Sequence, residues 1–306
     1  RQAVRIDEVR LLHADALVRR PERVVALEEP GLLEQLATMT DQVTVRGEEV
    51  QVALLLIGAQ QSVGIGPEGA VVRQNGDLPV NTHISPKIID GKAAAARVIA
   101  EVKSQVQALN AEGIAPALAV VLVGQDPASQ VYVRSKRKTC AELGIQSFSH
   151  DLPANCTEKR LLTLIHKLND DPRVHGILVQ MPLPKHLNEK RVLEAIRPEK
   201  DVDGFHPVNV GRLLNGEEGF VPCTPAGCLV LLQRYGIRPE GKHVVIVGRS
   251  NIVGKPLAAL LIQKADNANA TVTICHSRTR NIARYTREAD ILIAAMGVPE
   301  FIKPRM

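Results

Sequence analysis

From about residue 84 onward the chain alternates short apolar runs with amphipathic stretches, and nothing else in it restricts the possible folds so strongly. The runs at 118–123, 176–179, 243–247 and 291–295 are too short for helices and are bounded by turn residues, so they read as buried strands. Weaker strand patterns lie at 146–149 and 270–275. Helices are predicted between them at 92–109, from Asp126-Pro127 to Leu143, at 157–169, 189–196, 224–235, 254–263 and 282–287. Asp126 is suited to capping and Pro127 to a first helical turn. Strands separated by helices of this length form parallel sheets with crossover connections, which makes the fold class α/β.

The 306 residues leave room for two domains. A segment at 197–222, rich in Asp, Asn, Gly and Pro, interrupts the alternation and reads as the seam between two lobes, with the cleft there as the expected place for a substrate. The expected organisation is an unassigned extension at 1–83, an α/β catalytic lobe at 84–222 and a Rossmann-like lobe at 223–306. The last alternation reaches Met306 after three strands, so further C-terminal sheet is expected outside this chain. Residues 1–83 carry a helical pattern over 22–39, broken at Pro30-Gly31, a strand-like run at 51–57, and a turn-rich stretch at 58–81. That stretch holds Gly64, Gly66 and Gly69, compatible with an anion loop or a plain loop. No chemistry is assigned to this segment.

Lys and Arg are mixed with acids almost everywhere, so the net charge of +5 suits an anionic small ligand and does not indicate nucleic acid. The five cysteines show no CxxC spacing and are expected as buried thiols in a reducing compartment. The longest apolar run, at 52–58, is too short to span a bilayer, and no secretory signal opens the chain. The expectation is a cytoplasmic protein without a membrane partner.

The strongest local motif is HVVIVGRSNIVGKP at 243–256. A strand enters Gly248, a turn carries Arg249 and Ser250, and Gly254 starts a helix whose unpaired N–H groups and dipole suit phosphate oxygens. Ser replaces the second glycine of the usual G-x-G-x-x-G, so the motif is open to a nucleotide site or an ordinary strand-to-helix turn. The next strand ends at Cys275-His276-Ser277-Arg278, with Arg280 nearby and no carboxylate. Where NAD sites offer an acid to the ribose, this end offers donors suited to the extra phosphate of NADP, or else forms a solvated loop.

In the first lobe Tyr132 and Lys136 stand four apart on a helix and share a face. The pair could stack on a heterocycle and move protons, or be a packed ring and a solvated amine. Gln180 lies where the strand 176–179 leaves the sheet, in a turn stiffened by Pro182 and Pro184. Asp201 and Asp203 have no His or Cys to complete a metal site, so no metal is expected; one acid suits ligand N–H groups and the other a turn or cap.

YVRSK at 132–136, VHGILVQMPLP at 174–184, PEKDVDGFHPVNVGRL at 198–213, PCTPAG at 222–227 and VVIVGRSNIVGKP at 244–256 resemble the bifunctional methylenetetrahydrofolate dehydrogenase/methenyltetrahydrofolate cyclohydrolase family. The resemblance covers residues 84–306 and leaves 1–83 outside it. It implies an NADP-dependent multifunctional enzyme of one-carbon metabolism, feeding purine biosynthesis. That enzyme oxidises 5,10-methylenetetrahydrofolate and hydrolyses the methenyl product to 10-formyltetrahydrofolate. By position, it implies Lys136 as the central catalytic lysine, Tyr132 as the ring packed on the folate, Gln180 as the group that hydrogen-bonds and tunes Lys136, and Asp203 as the anchor of the pterin nitrogens. Gly248, Arg249, Ser250, Gly254, Ser277 and Arg278 fall in the cofactor-binding stretches, and Thr224 and Pro225 in the interlobe support. The resemblance also implies a homodimer through the cofactor lobe. Family members continue past the position of Met306 into a strand, a Pro/Gly-rich loop and a terminal helix, which keeps open a nucleotide-binding or interaction protein with one activity or none.

Overall fold

The computed structural model describes residues 87–298, 300–303 and 305–306, together with the backbone of three short strands before them. Those strands are β1 (Val4–Ile6), β2 (Val24–Leu27) and β3 (Ala70–Val72). β4 (Lys87–Ile89) pairs antiparallel with β3 and leads into α1 (Gly91–Ala111). The described chain falls into two compact units, one comprising Arg97–Cys223 and the other Thr224–Met306 together with residues 87–96.

In the first unit β5 (Ala117–Val123) is apolar and buried at every residue, as a central parallel strand covered on both faces must be. α2 (Pro127–Leu143) follows, then β6 (Gln146–Leu152), α3 (Glu158–Asp170), β7 (Gly176–Val179) and α4 (Glu189–Glu194). The strands form a parallel sheet in the order β6-β5-β7. The chain therefore leaves β5 for one neighbour and returns on the other side, so the C-terminal end of β5 is a topological switch point, where open α/β sheets hold ligands. On one sheet face Ala119, Val121 and Val123 pack with Leu161, Ile165 and Leu168 of α3. Each such Leu or Ile contributes roughly 1.5–3 kcal/mol by leaving water.

The second unit contains α6 (Cys223–Arg234), which starts at the seam, β8 (His243–Val247), α7 (Gly254–Leu261), β9 (Thr271–Cys275), α8 (Ile282–Glu288) and β10 (Ile291–Ala294). Along β8 the pleat alternates: Val244 and Ile246 pack with Leu231, Leu257 and Leu261, while Val245 and Val247 pack with Cys275, Ala289 and Leu292. β8 lies between β9 and β10, so this unit repeats the winding of the first.

Several elements differ from expectation. Val24–Leu27, predicted within a helix, is a strand paired parallel with β10 through Val24 and Leu292; two β-branched residues at its start favour the extended form. β1 and β2 carry the sheet beyond β10, in the order β1-β2-β10-β8-β9, so part of the unassigned extension lies in this sheet. β3 occupies part of the turn-rich stretch. The rest of 22–39, the run at 51–57 and Gly64, Gly66 and Gly69 lie outside the described residues. The seam segment holds a 3-10 turn at Pro198–Lys200 and a helix, α5 (Pro207–Asn215). His206 caps α5, Pro207 stands at its first turn and Gly216 ends it in the left-handed region, so residues read as loop formers act as helix punctuation. Residues up to 96, expected in the first lobe, cluster with the second unit because Ile89 and Ala94 are buried among Cys228, Leu231 and Leu232. Among the described residues no helix is long and apolar enough to cross a membrane.

Candidate active site

α2 begins where Asp126 accepts the Ser129 N–H at 2.8 Å and ends at Gly144, whose φ is 81°. Its buried residues, Ser129, Val133, Lys136, Thr139, Cys140 and Leu143, recur at helical spacing. Lys136 thus occupies a core position in an apolar stripe. It is 0% exposed, and its Nζ makes no hydrogen bond among the described residues. The solvated-amine alternative is excluded by this burial. Tyr132, one turn earlier, is half-buried.

The turn after the 3-10 segment separates the two acids. Asp201 is 1% exposed and pairs by a β-bridge with Ile177 of β7. Its Oδ2 accepts from the His206 N–H at 2.8 Å and the Asn209 Nδ2 at 2.9 Å. Asp201 is therefore the turn-holding acid. Asp203 is followed by Gly204 at φ 66°, where an added Cβ would lie 2.7 Å from the Phe220 carbonyl oxygen. Only glycine permits this close approach, which fixes the turn against the chain leading into Cys223.

Burial pushes the Lys136 ammonium down from its ordinary 10.5 to about 7, while the charges of Asp203, Cys223 and Cys140 draw it back up. Burial also raises the Asp203 carboxyl from 3.8 to about 7, with Lys136 opposing and Asp201 adding to the rise. The Cys140 thiol is pushed up to about 11 and that of Cys223 well above its usual range, both chiefly by burial. These mutual effects bring Lys136, Asp203, Cys140 and Cys223 into one cluster. An amine and a carboxyl that both titrate near neutrality can take and release protons at small cost, the property required of an acid–base pair. The two cysteines were not expected here; the i, i+4 spacing of Lys136 and Cys140 was the available signal.

Gln180 follows β7, its N–H bonded to the Val121 carbonyl at 2.9 Å. Its side chain is buried and differs from expectation: Nε2 donates to the Met181 carbonyl at 2.7 Å, and no bond to Lys136 is formed. The peptide between Met181 and Pro182 is cis. Oε1 stays buried without a partner among the described residues, leaving an acceptor available.

In the second unit the loop after β8 is built from backbone contacts. Gly248 has φ 134°, and an added Cβ would lie 2.0 Å from the Ala295 carbonyl oxygen; at Gly254 it would lie 2.2 Å from the Gly248 carbonyl oxygen. Ser250 corrects one expectation: its Oγ accepts the Val253 N–H at 3.0 Å and the Gly254 N–H at 3.4 Å, and its carbonyl accepts that of Lys255. The side chain folds back as a cap, so those amides are not unpaired. Arg249 and Ser250 are exposed. The Gly248 N–H bonds the Cys275 carbonyl at 2.8 Å, which sets this loop beside the turn that follows β9. In that turn Ser277 and Arg278 are exposed, and the Arg278 N–H is held by His276 Nδ1 at 3.1 Å. The residues present fit a dinucleotide with a ribose phosphate: two tight glycine positions, exposed guanidiniums and hydroxyls, and no carboxylate at the end of β9.

Residues 89–203 match the tetrahydrofolate dehydrogenase/cyclohydrolase catalytic domain, and residues 222–306 match the NAD(P)-binding domain of the same enzymes. The bifunctional protein FolD of Moorella thermoacetica is 61% identical over 216 residues, 71% of this chain and 76% of that protein. The chain belongs to this family. FolD of Dehalococcoides mccartyi is likewise 61% identical over 224 residues, 73% of this chain and 76% of its own length. Among solved structures, the bifunctional enzyme FolD from Campylobacter jejuni is 51% identical with a TM-score of 0.68, covering 70% of this chain and 75% of that one. FolD of Trypanosoma brucei, solved in complex with NADP cofactor and inhibitor, is 40% identical with a TM-score of 0.65, covering 69% and 72%. The family's two domains coincide with the two half-sites: the buried lysine cluster in one and the glycine loop in the other.

Proposed function

We infer that this chain catalyses the NADP-dependent oxidation of 5,10-methylenetetrahydrofolate to the 5,10-methenyl form and its hydrolysis to 10-formyltetrahydrofolate, with Lys136 as the central catalytic group. The observation that carries the role of Lys136 is its buried Nζ, unbonded and held near neutral titration beside Asp203. The folate lobe is assigned to 97–222 and the cofactor lobe to 223–306, with residues 87–96 joined to the latter.

When bound, NADP supplies the nicotinamide that accepts hydride. Gly248 and Gly254 would hold the loop in the shape its pyrophosphate requires, Arg249 and Ser250 would contact its phosphates, and Ser277 and Arg278 would hold the ribose phosphate. Tyr132 stacks on the reduced pterin, while Asp203 accepts hydrogen bonds from its N–H groups and sets its orientation. The methenyl product is a cation whose bridge carbon is electrophilic without a metal. As water attacks that carbon, the neutral Lys136 amine takes the water's proton. The resulting ammonium donates to the ring nitrogen that leaves, while the hydroxyl on the bridge carbon gives its remaining proton to solvent and becomes the formyl carbonyl. The unpaired Gln180 Oε1 is the acceptor assigned to steady that ammonium.

The test is a purified-protein assay with 5,10-methylenetetrahydrofolate, comparing NADP with NAD and following reduced cofactor and methenyl absorbance. The expected result is faster reduction of NADP, with methenyl decay above the spontaneous rate; binding of NADP with neither reaction would overturn the inference. We further propose a homodimer formed through the cofactor lobe, on the family resemblance, and cytoplasmic residence, on cysteines without CxxC spacing. A sedimentation mass of two chains checks the first, and cell fractionation the second.

A further inference from the structure

We propose that Asn209 is a positioning residue for folate binding: its side-chain amide ties the Asp201 carboxylate to the Pro198 carbonyl and thereby fixes the turn that presents Asp203. The inference rests on Asp203 binding the pterin.

Asn209 lies on α5 and is 1% exposed, as is Asp201. Its Nδ2 donates to Asp201 Oδ2 and to the Pro198 carbonyl, both at 2.9 Å. The amide therefore joins both ends of the turn that begins at Pro198. The same Oδ2 takes the His206 N–H, and the Asp201 carbonyl takes the Gly204 N–H at 3.1 Å, so the chain on either side of Asp203 hangs from Asp201. Asp201 forms no ion pair among the described residues, and these N–H groups are what compensates its buried charge. Asn209 Oδ1 has no hydrogen-bond partner among the described residues, and an added Cβ on Gly219 would lie 3.3 Å from it, so the amide faces the backbone at Gly219. Losing the amide leaves a buried carboxylate short of a donor two residues before the Lys136-linked acid and releases the turn at Pro198.

The decisive variants are Asn209→Ala and Asn209→Asp. For Asn209→Ala the expected result is an about tenfold rise in KM for 5,10-methylenetetrahydrofolate, the loss of roughly one charged hydrogen bond, with kcat and the KM for NADP little changed. Asn209→Asp sets a second carboxyl against Asp201. At acid pH one of the two is protonated and its single O–H restores the bond between residues 209 and 201, though not the one to Pro198, so folate KM recovers in part; at alkaline pH the two anions repel and KM rises. The profile is read as a ratio to wild type, which removes the ionisations of Lys136 on α2, Asp203 and His206 in the turn, and Cys223 on α6. A folded Asn209→Ala with unchanged folate KM, or with an equal rise in the KM for NADP, would overturn the proposal. If Asn209→Ala does not fold, absence of acid recovery in Asn209→Asp overturns it instead. Asp203→Asn is the control: unchanged folate KM there defeats the role of Asp203, whereas a rise there with none in Asn209→Ala defeats the inference alone.

Discussion

Both units wind a central strand between its two successors, yet their half-sites are made by opposite means. Around Lys136 the working parts are side chains taken out of water, and the mutual pull of an amine and a carboxyl sets their chemistry. Around Gly248 the working parts are backbone, and hard contacts with Ala295 and Gly254 set the shape. The first half-site should respond to changes of charge at constant volume, and the second to changes of volume at constant charge.

The largest effect is expected on the side-chain half. Lys136→Met keeps the stem volume among Val133 and Cys140 and removes the amine, so the rate of methenyl hydrolysis should fall about 10³-fold, within the range for a lost acid–base group. A melting temperature at or above wild type should accompany it, because a buried polar atom without a partner is removed. A melting temperature well below wild type would break the contrast.

Next is Gly248→Ala. A Cβ 2.0 Å from a carbonyl oxygen, at φ 134°, should cost on the order of 3 kcal/mol and weaken NADP binding. Thermal melts and cofactor titration measure both, and a stable, NADP-binding Ala variant would show that the backbone does not set this half-site. A smaller effect is expected for Arg278→Ala, which loses one exposed phosphate partner: an about tenfold rise in the KM for NADP and little change for NAD sharpens the assignment of that turn.

The effect that separates the two members of the buried pair is on the pH dependence of stability. Between pH 7 and 10.5 the unfolded chain holds a proton on Lys136 that the folded chain lacks, so stability rises with pH there. Between 3.8 and 7 the folded chain holds a proton on Asp203 that the unfolded chain has lost, so stability falls as pH rises. The two slopes meet in a minimum near neutrality. Denaturant midpoints across this range should lose the alkaline limb in Lys136→Met and the acid limb in Asp203→Asn.

The parallel strands were legible because β5, β7, β8 and β10 are short and almost wholly apolar, and the helix after β5 because Asp126 and Pro127 mark its start. The helix at Pro207–Asn215 was not, since His206, Pro207 and Gly216 serve turns and helix ends alike. β2 was lost because VVAL fits either period over so few residues, and its partner β10 lies far along the chain. Within the candidate site, Tyr132, Lys136 and Asp203 were legible as residue types at meaningful spacings. The burial of Lys136 was visible as a charge in the stripe Val133–Lys136–Cys140, whereas the bond from Gln180 to the Met181 carbonyl depends on local backbone geometry that composition does not encode. The contacts of Ser250 Oγ with the Val253 and Gly254 N–H groups were not legible, because a serine after a strand serves equally as ligand donor or as acceptor for the following amides.

The central claim is that Lys136 works as a buried amine poised near neutrality, and the pH dependence of methenyltetrahydrofolate hydrolysis in wild type and Lys136→Met tests it most directly. Wild type should show an ionisation near pH 7, with the rate falling as Lys136 becomes protonated, and the variant should lose both that ionisation and most of the rate. A variant profile that keeps the wild-type inflection and rate would contradict the account.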